Sequence, residues 1–212
     1  MAVIEMIGLQ YIADTFQMEY KTVAEKIGVS KQTFQDWIKG RRKIPQQRLE
    51  QLSNLFGIKE TELFQKELTD AEKTDIQILY FHHTDVFDEI EVPHVDDDGK
   101  EYTVKYSVSQ NKGIIDFLHE RSEEVKLLES VSDAVSGENV EGKANKELVE
   151  QLLSVIEGTP SQRRTIELVL YALTEHGQDE WGGVRPQFIK FHEKGFFDKF
   201  DNLLKEFGLS ND

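Results

Sequence analysis

Residues 23–63 read VAEKIGVSKQTFQDWIKGRRKIPQQRLEQLSNLFGIKETEL, and this stretch decides the fold. Its first part places Ala24 and Ile27 on one helical face, and Gly28 follows where a left-handed residue ends a helix without a Cβ clash. Ser30 predicts the start of a second helix, because its hydroxyl accepts a hydrogen bond from a backbone N–H that the helix leaves unpaired. The pattern therefore predicts two short helices joined by a sharp turn.

The second of these helices has an apolar side and a polar side. Phe34, Trp37 and Ile38 take the buried spacing, so long polar side chains occupy the outer side. These outer residues are Lys31, Gln32, Gln35 and Lys39. From Lys31 to Arg48 there are six basic residues and one acidic residue, a local net charge of +5. Side chains of this kind can reach the base edges and phosphates of duplex DNA.

This segment resembles the lambda-repressor and Cro-like helix-turn-helix family, in which a small five-helix domain inserts its third helix into the major groove. The resemblance covers about the first third of the chain. The residues that carry it are Val23, Ala24, Ile27, Gly28, Val29, Ser30, Thr33, Phe34, Trp37, Gly40, Arg41, Arg42, Leu49, Leu52, Leu55, Phe56, Gly57 and Leu63.

The resemblance implies a DNA-binding role for individual residues. We expect Lys31, Gln32 and Gln35 to read base edges. Family members often have Gln at the start of the second helix, where it contacts phosphate; Tyr20 stands there in this chain, and its hydroxyl can replace that contact. The residues expected at the DNA backbone are Tyr20, Thr33, Lys39, Arg41, Arg42 and Lys43.

Charge is divided unevenly along the chain. Residues 1–66 contain ten basic and eight acidic residues, a net charge of +2, whereas residues 67–212 contain fifteen basic and thirty-two acidic residues, a net charge of −17. The whole chain has a formal charge of −15. A DNA-binding domain attached to an otherwise repulsive body would concentrate its positive charge where phosphates arrive.

Composition bounds the class of protein. The 212 residues are 38% hydrophobic, which is enough to bury real cores, and there is no cysteine for a disulfide or a thiolate metal site. No apolar run approaches membrane-spanning length, and the N-terminus lacks the basic start and cleavage site of a secretory signal. These observations predict a cytoplasmic, globular protein.

The region after residue 67 has its own signals. Thr69 and Glu72 fit a capping box that opens a helix. Two alternating segments, Asp88–Val95 and Glu101–Val108, flank the turn-forming run at 96–99 and predict a β-hairpin, whose first strand Pro93 confines to an edge or a bulge. Helical spacing then predicts a long amphipathic helix over Gly113–Val135.

Residues 136–143 contain two glycines and few apolar anchors, and this composition predicts a mobile linker. Beyond it, helices are predicted over 147–156, 160–175, 186–193 and 196–207. Pro160 is predicted to start the second of these, and Pro45 is predicted to start a helix in the first domain. The expected fold is mainly α, with a five-helix DNA-binding domain (1–67), a middle domain with the hairpin and long helix (68–135), and a C-terminal helical domain (146–212). Both the long helix and the aromatic-rich C-terminal domain are candidates for a dimer interface.

No catalytic residue, metal site or cofactor site is predicted. The chain has no Ala-Gly dipeptide, the bond that self-cleaving repressors break, and neither His119-Glu120 nor His192-Glu193 continues to a second zinc-protease histidine. His82-His83 is interpreted as a pair of surface histidines, and the acidic run 96–98 as a hairpin tip, because the calcium-loop spacing is missing.

The predicted function is a sequence-specific, double-stranded DNA-binding repressor of a phage or mobile element, which binds its operator as a homodimer. Release is expected through a protein antirepressor or inducer that binds the region after residue 68. Two alternatives remain open. One is an antitoxin or acidic protein inhibitor that regulates its own gene through the helix-turn-helix, and the other is an enzyme with a DNA-targeting module.

Overall fold

The computed structural model describes residues 7–137, 139–175 and 183–209. Its contacts divide the chain into two compact units, Met1–Ser132 and Asp133–Asp212. The fold is mainly helical with one antiparallel hairpin, as the sequence predicts.

Among its described residues, from Ile7 onward, the first unit contains six helices, one 3-10 turn and the hairpin, and the last helix runs three residues past the division at 132. Its elements are α1 (Gly8–Thr15), α2 (Tyr20–Lys26), α3 (Lys31–Ile38), α4 (Gln46–Phe56), a 3-10 helix (Thr61–Phe64), α5 (Asp70–His83), β1 (Phe87–Val95), β2 (Glu101–Ser109) and α6 (Lys112–Val135).

Three details of the first domain differ from the sequence prediction. The sequence predicts a first helix from residue 4 to about residue 18, with Ile7 and Tyr11 facing inward; α1 ends earlier, at Thr15, and residues 4–6 lie outside the described part of the chain. Pro45 precedes α4 as its N-cap residue instead of occupying the first helical position, since its backbone is extended with ψ of 148°. The predicted fifth helix is a single 3-10 turn, Thr61–Phe64.

One hydrophobic core joins these elements. Its buried members include Leu9, Ile12, Val23, Ala24, Ile27, Phe34, Trp37, Leu49, Leu52, Phe56 and Phe64. Helix α5 belongs to the same core, because Ile76 is buried in it and Leu79 packs against it. The Tyr11 hydroxyl also donates to the Lys73 carbonyl at 3.3 Å. The five-element DNA-binding fold is therefore extended by α5.

The hairpin confirms the predicted strands and turn. Strand β1 pairs with β2 from Phe87 opposite Ser109 to Val95 opposite Glu101. The Asp96 carboxylate accepts a hydrogen bond from the Lys100 backbone N–H at 2.7 Å, and Gly99 adopts φ of 79°. These contacts close the loop that the acidic run and glycine predict.

Helices α5 and α6 pack together through one face of α6. Its buried residues are Ile115, Leu118, Ser122 and Val125. The Ser122 hydroxyl donates to the Asp75 carboxylate at 2.6 Å, and the Lys126 ammonium lies 2.9 Å from the same carboxylate. The Thr69 capping box starts α5 as predicted. Polar contacts therefore join α5 to the buried face of α6.

The second unit is a set of short and medium helices. They are α7 (Val140–Glu157), α8 (Pro160–Glu175), a 3-10 turn (Pro186–Phe188), α9 (Ile189–Glu193) and α10 (Phe196–Glu206). Helix α8 has the predicted bounds. Its core contains Leu168, Tyr171 and Phe188, and the rings of Tyr171 and Phe188 stack with their centroids 4.7 Å apart. The sequence also places Trp181 among the aromatic residues of this C-terminal region, and that residue lies outside the described residues.

The predicted linker at 136–143 is wrong in its second half, because residues 140–143 form the first turn of α7. Asn139 caps this helix by accepting a hydrogen bond from the Gly142 N–H at 2.8 Å. Gly142 is buried, and a Cβ there would lie 2.1 Å from the Gly137 carbonyl oxygen. The glycine permits close backbone packing instead of flexibility, so the helix begins at Val140 and not at Glu147.

Candidate nucleic-acid interface

The turn between α2 and α3 has the geometry that its sequence predicts. Gly28 adopts φ of 68°, a left-handed conformation that a residue with a side chain rarely takes. The Ser30 hydroxyl accepts a hydrogen bond from the Thr33 N–H at 3.0 Å and so caps α3. Ala24 and Ile27 are buried beneath the turn. Helix α3 is therefore held at a fixed crossing against α2.

Helix α3 is anchored by its aromatic side. Phe34 and Trp37 are buried, and the Phe34 ring contacts those of Tyr20 and Trp37, with centroid distances of 5.8 and 6.3 Å. On the other side Lys31 and Gln32 are exposed. The structure thus presents polar side chains of α3 to solvent on a rigid, packed base.

The remaining predicted site residues differ in exposure. Gln35 and Thr33 are half-buried, and the Thr33 hydroxyl lies 2.9 Å from that of Ser30. The exposed ones are Lys39, Arg41, Arg42 and Lys43. The last three lie in the loop after α3, which begins at Gly40 with φ of 65°. This loop brings three consecutive cations beside the end of α3.

Asp36 is the one acidic residue within the basic segment, and its neighbours shield it. Its side chain is 15% exposed and lies 3.6 Å from the Arg41 guanidinium and 3.9 Å from that of Arg42. The Gln32 amide also donates to it at 3.2 Å. These contacts offset the negative charge and orient the arginines, so the solvent-facing surface of this region is positive.

Tyr20 begins α2, and its hydroxyl is already engaged. It donates to the Asp14 carboxylate at 2.8 Å. Burial, together with this hydrogen bond and the nearby negative charge, raises the pKa of Tyr20 to about 12. The phenol is therefore neutral at physiological pH. To donate to a phosphate it would have to exchange its carboxylate partner.

Arg48 has a structural role, although the sequence alone does not distinguish it from the other basic residues between Lys31 and Arg48. Its half-buried guanidinium donates to the Ile27 carbonyl at the end of α2 and to the Gln51 side chain, the latter at 2.7 Å. Arg48 thus links α4 to the turn that positions α3. Only its spacing from Gln51, three positions along α4, hints at this role in the sequence.

Within the described residues, no cluster of three or more His, Cys, Asp or Glu side chains is arranged to hold a metal ion. None of the helices described there has both the length and the apolar composition needed to cross a bilayer. The groups that α3 and the loop after it expose are hydrogen-bonding and cationic side chains, which suit recognition of an anionic polymer.

Comparison with known families identifies this part of the chain. Residues 17–63 match the family model described as Helix-turn-helix. No curated protein and no solved structure matches the chain significantly. The matched residues contain α2, the turn, α3, the basic loop and α4. The chain therefore carries an N-terminal lambda-repressor/Cro-like helix-turn-helix domain, the DNA-binding domain of a transcriptional regulator.

Proposed function

We propose that this protein is a cytoplasmic repressor of a phage or mobile genetic element that binds a double-stranded DNA operator sequence-specifically. The observation that carries the proposal is the polar face of α3, held by Phe34 and Trp37 and flanked by the cationic loop 40–43. In helix-turn-helix proteins the second helix of the motif enters the major groove. Occupancy of an operator by such a domain blocks transcription without any chemical step.

Contacts divide between base reading and backbone anchoring. Lys31 and Gln32 are exposed on α3 and have donors for base edges, and Gln35 lies one helical turn beyond Lys31. Lys39, Arg41, Arg42 and Lys43 would bind phosphates, with Tyr20 and Thr33 adding contacts at the ends of the motif. The shielded Asp36 supports this arrangement, because it orients Arg41 and Arg42 without leaving an exposed carboxylate.

The active species is a homodimer in this proposal. One α3 helix contacts only a few base pairs, whereas two copies reading half-sites about 34 Å apart give useful specificity. Release of the operator is brought about by a protein antirepressor or inducer that binds the acidic region after residue 68. Support for this route is the −17 charge of residues 67–212 and the absence of an Ala-Gly bond for self-cleavage.

An electrophoretic mobility-shift titration tests DNA recognition. Duplexes spanning the DNA that flanks the gene are compared with a random duplex of equal length. The substitution Gln35→Ala is expected to reduce the difference in binding free energy between the preferred and the random duplex by about 1–3 kcal/mol, since it removes a side chain that hydrogen-bonds to a base edge. Replacing Arg42→Ala weakens both duplexes and lowers the slope of log affinity against log salt by about 1.

Lys105→Ala is the charge-matched control. Lys105 lies on β2, outside the matched domain, and pairs with Glu91 at 3.3 Å, so its loss removes one cation without touching the motif. We expect unchanged binding for this variant. If Gln35→Ala and Arg42→Ala both bind like the parent protein, the proposed mode of DNA recognition is wrong.

The alternative function is an antitoxin or acidic inhibitor that autoregulates through its helix-turn-helix domain. The uneven division of charge supports this alternative, because residues 67–212, with a net charge of −17, can attract a basic enzyme. Purification from the native host discriminates between the two. A basic protein bound in stoichiometric amount, and released by salt, would support the inhibitor; its absence together with operator binding would support the repressor.

A further inference from the structure

Helix α6 has a second apolar stripe beside the one that it buries. The buried stripe contains Ile115, Leu118, Ser122 and Val125. A second stripe of α6 is exposed to solvent. Its first four positions each precede a residue of the buried stripe by one, so the exposed stripe is rotated from the buried one by about 100° around the helix. Its apolar residues are Ile114, Phe117, Leu128 and Val131. Phe117 and Leu128 are 62% and 63% exposed, which is unusual for such large side chains.

The exposed stripe has the spacing of a coiled-coil seam. Residues 114, 117, 121, 124, 128 and 131 are separated by alternating steps of three and four, the spacing of a and d positions in a heptad repeat. Apolar residues occupy both ends of this stripe. The two central positions are Arg121 and Glu124, whose side chains are exposed and 3.1 Å apart.

The order of residues along this stripe is self-complementary when one copy is reversed. Reading from either end gives two apolar residues and then one charged residue, and the two charges have opposite sign. A two-fold axis placed between Arg121 and Glu124 puts Ile114 opposite Val131 of a second copy. The same axis puts Phe117 opposite Leu128, and Arg121 opposite Glu124. Each pair joins an a position to a d position, as antiparallel helices require.

We propose that the exposed stripe of α6 is a homodimer interface in which two copies of this helix pack antiparallel. With α5 covering the neighbouring stripe, the dimer contains a four-helix bundle formed by α5 and α6 of both copies. The inference deepens the proposed function, since it rests on the dimeric repressor and assigns its interface to a segment outside the DNA-binding domain.

Charge complementarity selects a second copy in this orientation. Each chain has a net charge of −15, so association needs a surface where charges cancel. The antiparallel arrangement pairs Arg121 with Glu124 twice, across the axis. A parallel arrangement would oppose Arg121 to Arg121 and Glu124 to Glu124, and such like-charge contacts disfavour it. The central pairs therefore set orientation and register, while the four apolar positions provide the buried area.

Disulfide trapping tests the orientation, because the natural chain has no cysteine. In the double variant Phe117→Cys, Leu128→Cys, each thiol is expected to face the other thiol of the second copy, giving a covalent dimer on non-reducing gels. The two positions are about 16 Å apart along one helix, too far for a disulfide within one chain. Each single variant is expected to remain uncrosslinked. Glu123→Cys, on a different face near the axis, is the matched control.

A charge exchange tests the central pairs without thiols. Arg121→Glu alone and Glu124→Arg alone are each expected to raise the dimer dissociation constant by about tenfold, a penalty typical of like charges at an interface. Combining the two substitutions restores dimerisation, since the pairs then re-form with their signs exchanged. Light scattering over a concentration series measures this, and Glu123→Arg controls for the change in net charge.

Two sets of results would overturn the inference. One is efficient crosslinking of the single cysteine variants, which indicates parallel packing. The other is a parent protein that is monomeric, or a dimer that is indifferent to all of these substitutions. Failure of the proposed function is recognised separately: antiparallel crosslinking with no preference for any duplex would leave the α6 interface intact and remove the repressor. Operator binding without α6 crosslinking would remove only the interface.

Discussion

At the scale of single residues, Arg48 shows how a cation within a positive segment can serve the fold. Its guanidinium donates to the Ile27 carbonyl and to Gln51, and it is half-buried beside the turn. A carbonyl at a helix end needs a partner, and a charged donor provides a strong one. Arg41 and Arg42 are exposed by contrast, so Arg48 serves the fold whereas Arg41 and Arg42 keep their guanidinium groups at the surface.

Replacing Arg48→Ala is expected to lower the free energy of unfolding by about 1–3 kcal/mol, because the Ile27 carbonyl loses its charged donor. Urea denaturation followed by circular dichroism measures this. Arg42→Ala is the matched control, as it removes the same side chain from an exposed position and should leave stability nearly unchanged. Equal stability of the two variants would show that Arg48 is not a structural link.

At the scale of elements, the approach of α1 to the 3-10 helix depends on Gly8. The Gly8 N–H donates to the Lys66 carbonyl at 2.7 Å, and a Cβ at this position would lie 1.7 Å from the Leu63 carbonyl oxygen. Both neighbours are backbone atoms, which cannot rotate away as a side chain can. The two ends of the DNA-binding domain therefore meet at a glycine.

Gly8→Ala is expected to destabilise the first unit by about 3 kcal/mol or more, at the upper end of the range for overpacking. Gly113→Ala is the matched control near the start of α6, since nothing lies within 4 Å of the Cβ that this substitution would add. That variant should be as stable as the parent or more stable by up to about 1 kcal/mol. Thermal unfolding of both variants checks the contrast, which two equally stable proteins would contradict.

At the scale of the whole molecule, two compact units each possess a hydrophobic core. The first core includes Leu52 and Phe56, both fully buried. The second is smaller and centres on Leu168, Tyr171 and Phe188. Proteins with more than one such unit commonly depart from a single cooperative transition. The acidic charge is spread over α5 and everything that follows it, whereas the cationic loop lies within the first core's domain.

Calorimetry of the intact chain should resolve two unfolding transitions. Phe188→Ala is expected to destabilise one of them by about 3–5 kcal/mol, and Leu52→Ala the other by about 2–5 kcal/mol, because each creates a cavity in a different core. Each variant serves as the control for the other, because it leaves the core of the other unit unchanged. A single transition that both substitutions shift alike would show that the units unfold as one body.

Signals confined to neighbouring residues were predictable from the sequence. Gly28 and Ser30 locate the turn, Thr69 with Glu72 locates the start of α5, and the run at 96–99 locates the hairpin loop. Residue types that cap helices or tolerate positive φ act over two to four positions, so no tertiary information is needed. The apolar spacing of α3 likewise predicted which of its sides is buried.

Contacts between distant residues were not predictable in this way. The shielding of Asp36, the link from Arg48 to Ile27 and the incorporation of Ile76 into the first core depend on how elements approach one another. The start of α7 was missed for the same reason, since Gly142 resembles linker glycine until Gly137 is seen beside it. The individual DNA contacts of Lys31, Gln32 and Gln35 stay predictions that binding measurements address.

The amino-acid sequence by itself determined a helix-turn-helix domain, the polar face of its second helix and the division of charge, because caps, periodicity and net charge are properties of the chain. Tertiary structure alone decided which polar groups are used up internally and which remain available. Burial and hydrogen bonding arise only when segments far apart in sequence pack together. That packing assigned Arg48 to the scaffold, engaged the Tyr20 hydroxyl with Asp14, and left one stripe of α6 buried and its neighbour exposed.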